Sequence, residues 1–248
     1  MSAVFAIARR EMEAVFTTVI GWMALLGFVF FNGLIFIWAA SEYAQPSMGG
    51  PAFDIDRHLI PDLFGTISFM LLLLLPAVSM RLFSEDQRQG SFEMLLSAPL
   101  ASWEIVLGKF FGAMGFVCLM LLSLSHCFLG LFWMGSPDLG VLAMNILSIL
   151  LFSGACISIG MLFSSFTKNQ FIALSLSFVT CLAFWISDGV SQLATGSLAE
   201  ALSHLSFMPH LDRMGQGVLH LKDLGYFTCF TGFFLFATLQ RIEANRWT

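Results

Sequence analysis

Six long apolar runs constrain the fold of this chain more than any other feature of its sequence. They cover residues 19–40, 63–80, 110–134, 139–163, 171–186 and 224–239. An α-helix needs about 20 apolar residues to cross the hydrocarbon core of a bilayer. The runs are continuous and lack the apolar–polar alternation of membrane β-strands. We therefore predict an all-α membrane protein with six transmembrane helices, formed by residues 1–248 as a single transmembrane domain.

The composition agrees with this class and excludes several others. Hydrophobic residues make up 58% of the 248 positions and charged residues only 11%, whereas soluble domains carry about 25% charged residues. No basic patch is present, so nucleic acid is not expected as a partner. The five cysteines lie inside apolar runs without C-x-x-C spacing. We interpret them as packing residues and expect no metal or cofactor on this chain.

The distribution of positive charge predicts the orientation in the membrane. If the N-terminus is inside, the inner segments carry Arg9, Arg10, Arg81, Arg88, Lys109, Lys168, Arg241 and Arg246, and the outer segments carry Arg57, Arg213 and Lys222. Cytoplasmic loops of membrane proteins are enriched in Lys and Arg. We therefore expect a multi-pass protein with both termini and residues 81–109 in the cytoplasm.

Two segments outside the runs have amphipathic character. Residues 1–18 combine a broad apolar face with charged positions, which suits a helix in the membrane interface; an ordinary solvated N-terminus is the alternative. Residues 188–222 contain apolar residues at helical spacing but are too few to cross the bilayer twice. This second segment predicts short re-entrant helices before the sixth span, with a structured extracellular loop as the alternative.

The runs contain little that could perform chemistry. His126 and Asn145 are the notable polar residues within them, and packing is the simpler role for His126 than a proton relay. The sequence has no phosphate-binding G-x-x-x-x-G-K-[ST] loop, no H-E-x-x-H and no G-x-S-x-G. We expect no catalytic residues on this chain, and the energy for any transport must then come from another protein.

The densest cluster of charge lies between the second and third runs, in residues 81–109. Ser84 and Gln87 have capping-box spacing, Gly90 can interrupt a helix, and Ser102 can cap the helix that follows. An apolar face is formed between these points by Phe92, Leu95 and Leu96. This pattern predicts a short amphipathic helix on a cytoplasmic hairpin. Such a helix could dock in a groove of a partner protein or rest on the lipid surface.

Two motifs resemble those of a known family. Residues 81–86 (RLFSED), 89–99 (QGSFEMLLSAP) and 105–110 (IVLGKF) resemble the ABC-2 type permeases of ATP-binding-cassette transporters, with Ser91 where threonine is usual. Residues 208–211 (MPHL), 215–219 (GQGVL) and 222–227 (KDLGYF) look like the ending of the gliding-motility-type permease branch. Gln216 and His220 stand there in place of the more common Arg and Asp.

The resemblance implies a fold of six transmembrane helices, an N-terminal interfacial helix and short re-entrant helices before the sixth span. The hairpin at residues 81–109 would be the coupling helix that docks on an ATPase subunit. The residues implied in that contact are Glu85, Asp86, Gly90, Ser91, Phe92, Glu93, Leu95 and Leu96. ATP and magnesium would be bound by the partner ATPase and not by this chain.

The leading functional prediction is therefore a permease subunit of an ATP-driven transporter in a bacterial inner (cytoplasmic) membrane. Its expected partners are two ABC ATPase subunits, a second permease chain (identical or related), membrane lipid and an extracytoplasmic accessory protein. The Gly108-x-x-x-Gly112 spacing could let two helices approach closely. The alternative is a non-transporting mechanotransmission or regulatory module moved by an ABC ATPase; a membrane-embedded enzyme is the third reading.

Overall fold

The computed structural model describes residues 3–43, 59–90, 100–193 and 195–246. Within these ranges the chain forms eleven α-helices and no strand, which confirms the predicted all-α class. The helices are α1 (Ala3–Phe16), α2 (Val19–Tyr43), α3 (Ile60–Ser79), α4 (Arg81–Gln89), α5 (Ser102–Ser123), α6 (Ser125–Met134), α7 (Leu139–Phe166), α8 (Gln170–Ser191), α9 (Ser197–Leu205), α10 (Met208–Gly215) and α11 (Leu221–Arg246).

Five helical stretches in the described part of the chain are long and apolar enough to cross a membrane. They are Gly21–Ser41, Ile60–Gln89, Ser102–Met134, Leu139–Phe166 and Gln170–Ser191. The sixth predicted span, residues 224–239, lies within α11, which has charged residues near both ends and is not among the five. The chain is therefore a multi-pass membrane protein, and its sixth crossing stays a prediction.

The second predicted span continues beyond residue 80 as a second helix. Helix α3 contains Pro76, which has no N–H to donate, and it ends at Ser79. After Met80 the chain resumes as α4 and stops at Gly90, whose φ of 73° lies in the left-handed region that glycine adopts without strain. The break expected at Gly90 is confirmed. The cap expected at Ser84 is wrong, because Ser84 lies inside α4 and donates to the Met80 carbonyl at 2.5 Å.

The helix expected to start near Ser102 and to continue as the third span, residues 110–134, is α5. The cap expected at Ser102 is wrong by one residue, because Ser102 is the first helical residue and the cap is Ala101, whose N–H donates to the Glu104 carboxylate at 3.0 Å. A single turn residue, Leu124, then separates α5 from α6. The apolar stretch from Ser102 to Met134 therefore consists of two consecutive helices.

Helix α7 is the centre of the bundle. It packs against α3, α5, α8, α10 and α11. In its most apolar 18-residue stretch, 67% of the residues are buried inside the protein. Helix α2 is peripheral, since only 11% of the residues in its most apolar 18-residue stretch are buried. Its exposed apolar side chains are therefore available to lipid or to another chain.

The two short helices α9 and α10 occupy the region where short helices were expected, residues 188–222. Helix α10 packs on α3, α7 and α8. The Phe207 N–H before it donates to the Phe184 carbonyl of α8 at 3.2 Å. The re-entrant placement of these helices in a membrane stays a prediction.

Helices α3 and α7 touch most closely at Gly160. A Cβ atom added there would overlap both Oγ and Cβ of Ser79. Because Ser79 is itself fully buried, its side chain has little space in which to move away. The close contact between these two helices therefore depends on glycine at position 160.

We expect Gly160→Ala to destabilise the bundle by about 1–3 kcal/mol, the usual cost of overfilling a packed core. The measurement is the thermal unfolding midpoint of the full chain in detergent. Gly232→Ala in α11 is the matched control, because a Cβ there meets no atom within 4 Å. Equal midpoints for the two variants would contradict this account of the α3–α7 contact.

Candidate functional site

A buried ionic cluster joins the three helices α1, α4 and α5. Lys109 of α5 has a side chain only 2% exposed, and its Nζ lies 2.7 Å from Glu11 Oε1 and 2.7 Å from Asp86 Oδ2. Glu11 belongs to α1 and Asp86 to α4. One ammonium group therefore ties the N-terminal helix and α4 to the start of the third span. We call Arg10, Glu11, Asp86 and Lys109 the basal cluster.

The charges of the basal cluster balance, since two carboxylates meet one ammonium and one guanidinium. Arg10 Nη2 lies 3.6 Å from Asp86 Oδ1 and 3.8 Å from Glu11 Oε1, and the Arg10 side chain is 61% exposed. The ring of Phe83 lies 5.3 Å from Lys109 Nζ and adds a cation–π contact. Removing one partner of a buried ion pair costs about 3–5 kcal/mol, because the remaining charge is left uncompensated.

Two glycines on α5 bring α1 close enough for this pairing. A Cβ at Gly108 would lie 2.7 Å from Ile7 Cβ, and a Cβ at Gly112 would lie 2.7 Å from Glu11 Cβ and 2.9 Å from the Ala8 carbonyl oxygen. The small-residue spacing predicted to allow a close helix contact thus serves α1 of the same chain. It places Glu11 of α1 directly against α5.

Ser164 of α7 holds the joint between α3 and α4. Its hydroxyl donates to the Met80 carbonyl at 2.8 Å and accepts from the N–H groups of Phe83 at 3.0 Å and Ser84 at 2.9 Å. The first N–H groups of a helix have no partner within that helix. Ser164 satisfies two of them at a buried position, so the start of α4 is fixed to the central helix.

The other end of α4 is tied to the connection between α7 and α8. Gln87 Nε2 donates to the Ser165 carbonyl at 2.9 Å, and Gln170 donates to the Glu85 carboxylate. Helix α4 is thus bonded to α7 and α8 on one side and to α1 and α5 on the other.

The structure describes three of the residues predicted to contact an ATPase. Glu85 is 21% exposed and pairs with Arg88 at 2.9 Å, Asp86 points inward to Lys109, and Gly90 ends α4. The remaining predicted residues lie outside the described ranges: Ser91, Phe92, Glu93, Leu95 and Leu96. The sequence pattern gave Lys109 and Arg10 a role only in orientation, and gave Lys109 also a place in the IVLGKF motif. It gave no role to Glu11 or Ser164.

A second cluster links α10 to the start of α11. Asp223, which is fully buried, accepts from His210 Nδ1 at 2.5 Å and from Arg213 Nη2 at 2.5 Å. Burial alone would raise the pKa of Asp223, but the hydrogen bonds and positive charges of Arg213 and His210 hold that pKa below its usual value. The Tyr226 ring stacks on His210 at 4.0 Å, and its hydroxyl donates to the Leu205 carbonyl at 2.6 Å. We call His210, Arg213, Asp223 and Tyr226 the outer cluster, after the predicted outer segment 188–222 that carries the first two.

The outer cluster gathers residues from the second sequence motif into one structural contact. His210 comes from residues 208–211 of that motif, and Asp223 and Tyr226 come from residues 222–227. Their geometry locks α10 to α11. Within the described residues no group of three or more His, Cys, Asp or Glu side chains is arranged to hold a metal ion.

Asn145 and His126, the two polar residues singled out in the apolar runs, contact backbone carbonyls. Asn145 Nδ2 donates to the carbonyls of Val141 and Gly215, both at 2.9 Å, and so attaches α10 to α7. His126 Nδ1 lies 3.0 Å from the carbonyl oxygen of Ser123, in the preceding turn. These contacts give both residues a packing role.

The comparison with protein families identifies the chain. Residues 6–239 match a family described as ABC-2 family transporter protein, and no curated protein matches the sequence. The family match does not separate the gliding-motility-type branch from others, so that finer resemblance stays a prediction. A match over nearly the whole length, together with several apolar membrane helices, shows that the chain belongs to the ABC-2 family of transporter membrane components.

Proposed function

We propose that this chain is the permease subunit of an ATP-driven transporter and that residues 81–109 couple it to a separate ABC ATPase. The observation that carries the proposal is the attachment of α4. This helix is the first part of the predicted coupling segment, and polar contacts join it to α1, α5, α7 and α8. Family membership supports the permease role itself.

The proposed sequence of events begins on the partner. ATP binding closes a pair of ATPase subunits and displaces the segment after Gly90. Helix α4 moves with that segment, and Ser164 passes the displacement to α7, while the basal cluster passes it to α1 and α5. Because α7 contacts most of the bundle, its movement would shift the transmembrane helices between inward-facing and outward-facing arrangements.

The proposed assembly contains two ATPase subunits and a second permease chain, identical or related. ATP and magnesium are bound by the ATPase, so this chain performs no hydrolysis. Both termini and the coupling segment lie on the cytoplasmic side of a bacterial inner membrane. Support for this orientation comes from the excess of Lys and Arg in the predicted inner segments.

The first prediction concerns the coupling segment. We expect Leu95→Asp and Gly90→Pro to abolish stimulation of the partner ATPase while leaving membrane insertion intact. The first change puts a charge on the predicted docking face, and the second places proline where φ is +73°, a value that proline cannot adopt. The measurement is ATP hydrolysis by the reconstituted complex.

Leu219→Asp is the control for the Leu95 variant, since Leu219 is 53% exposed in the segment before α11 and should tolerate a charge. Normal stimulation of ATP hydrolysis by either the Leu95 or the Gly90 variant would contradict the assignment of residues 81–109 as the coupling segment.

The second prediction concerns the basal cluster. Lys109→Met leaves two buried carboxylates without their ammonium partner and should reduce the yield of folded chain severely. The triple variant Glu11→Gln, Asp86→Asn and Lys109→Met removes all three charges together and should recover most of that yield. If the ionic contacts transmit movement, the triple variant will still show weakened ATPase stimulation.

Detergent size-exclusion profiles measure folded yield, and ATP hydrolysis by the complex measures coupling. The matched control is Arg9→Gln with Glu13→Gln, an ion pair on the exposed face of α1, which should change neither readout. Full stimulation by the triple variant would show that the basal cluster serves stability alone.

A further inference from the structure

A cavity of about 410 Å³ lies beside the basal cluster, between α1, the start of α2, the α3–α4 joint and α5. Its wall has two chemically different parts. Three cationic and three carboxylate groups line one part, namely the whole basal cluster together with Arg81 and Glu85, and Ala24, Ala77 and other small or apolar residues line the rest. A ligand that fills this space must therefore be amphipathic.

Arg81 has donors to spare for such a ligand. Its Nη1 donates to the Thr18 hydroxyl at 3.0 Å, and in the described part of the chain no carboxylate lies within 4.0 Å of its guanidinium. An arginine carries five N–H donors. Glu85, on the same cavity wall, pairs with Arg88 at 2.9 Å and is also stabilised by the positive charge of Arg81. The guanidinium of Arg81 still has N–H donors for a further anion.

Arg10 supplies a second guanidinium to the same cavity. Its two carboxylate contacts are long, at 3.6 and 3.8 Å, whereas Lys109 holds both of the same carboxylates at 2.7 Å. Lys109 thus makes the short contacts of the basal cluster, and the long contacts of the largely exposed Arg10 leave N–H donors of its guanidinium for a further ligand. Two guanidinium groups remain to bind a phosphate, the group whose oxygen geometry they match best.

The apolar part of the cavity indicates where the ligand comes from. Ala24 lies on α2, whose apolar side chains are largely exposed, Met23 at 67% and Leu26 at 64%. Trp22 is half exposed on the same turn and donates to the Phe16 carbonyl at 2.9 Å. A tryptophan of this kind is typical of the headgroup level of a bilayer. One wall of the cavity is therefore formed by a helix whose exposed sides are suited to acyl chains.

We propose that this cavity binds one phospholipid from the leaflet in which α1 lies. The phosphate is held by Arg81 and Arg10, and the acyl chains follow Ala24, Ala77 and Val78 toward the exposed face of α2. A bound lipid would touch α1 and the α3–α4 joint together. This inference goes beyond the proposed function and holds whether or not an ATPase binds the chain.

The test is native mass spectrometry of the full chain, purified in detergent, stripped of lipid and titrated with palmitoyl-oleoyl phosphatidylglycerol. The wild-type chain should bind one lipid at a saturable site. Arg81→Gln and Arg10→Gln should each weaken that binding by about tenfold, because each removes one charge-assisted hydrogen bond to the phosphate. Arg9→Gln should bind as the wild type does, because Arg9 pairs with Glu13 on the exposed face of α1.

Ala77→Leu tests the apolar part of the cavity without changing any charge. Added methyl groups should lower lipid affinity, and equal unfolding midpoints would show that the variant remains folded. If it does not fold, the arginine variants still decide the proposal. Wild-type lipid binding by Arg81→Gln, or an equal loss in Arg9→Gln, would overturn the site.

Glycerol 3-phosphate and inorganic phosphate distinguish a lipid from a soluble phosphate. Neither should displace the lipid at matched concentration, because neither can occupy the apolar part of the cavity. Displacement by either compound would show that the two arginines recognise a free phosphate, and the lipid assignment would then be wrong.

Discussion

The buried ammonium group of Lys109 is the constraint on which the base of this structure depends. A single charge so far from water is tolerated only when opposite charges lie beside it. Glu11 and Asp86 meet that need from two other helices. The position of α1 and the direction of α4 therefore follow from one electrostatic requirement. The glycines of α5 make it geometrically possible, since they allow α1 to lie directly on that helix.

A second requirement acts where the second span passes from α3 to α4. Pro76 has no N–H to donate, and Met80 separates the two helices. In a low-dielectric environment each unsatisfied backbone group is costly. Ser164 bonds the Met80 carbonyl and the N–H groups of Phe83 and Ser84 at this joint. The central helix α7 thus supports the joint and ties α4, the first part of the predicted coupling hairpin, to the core.

The sequence was sufficient for features that depend on local patterns. Apolar runs predicted the all-α class, and Gly90 predicted the end of α4 because its left-handed conformation favours glycine. The cap assigned to Ser84 was wrong because a capping motif cannot reveal that the helix begins earlier. The basal cluster was not foreseen, since Lys109 and Glu11 are separated by 98 positions. Only the packing of α1 on α5 brings them together.

Under the proposed coupling, a force applied at α4 would reach an apolar bundle whose central helix carries no charge. The basal cluster holds α1, α4 and α5 together, and the outer cluster around Asp223 holds α10 against α11. Helix α7 bonds to both groups of helices, through Ser164 to α4 and through Asn145 to Gly215 of α10. Because no charged residue lies between positions 139 and 163, the proposed shift of α7 would separate no ion pair of this helix. The shift would cost mainly the repacking of apolar side chains, with the connections at each end intact.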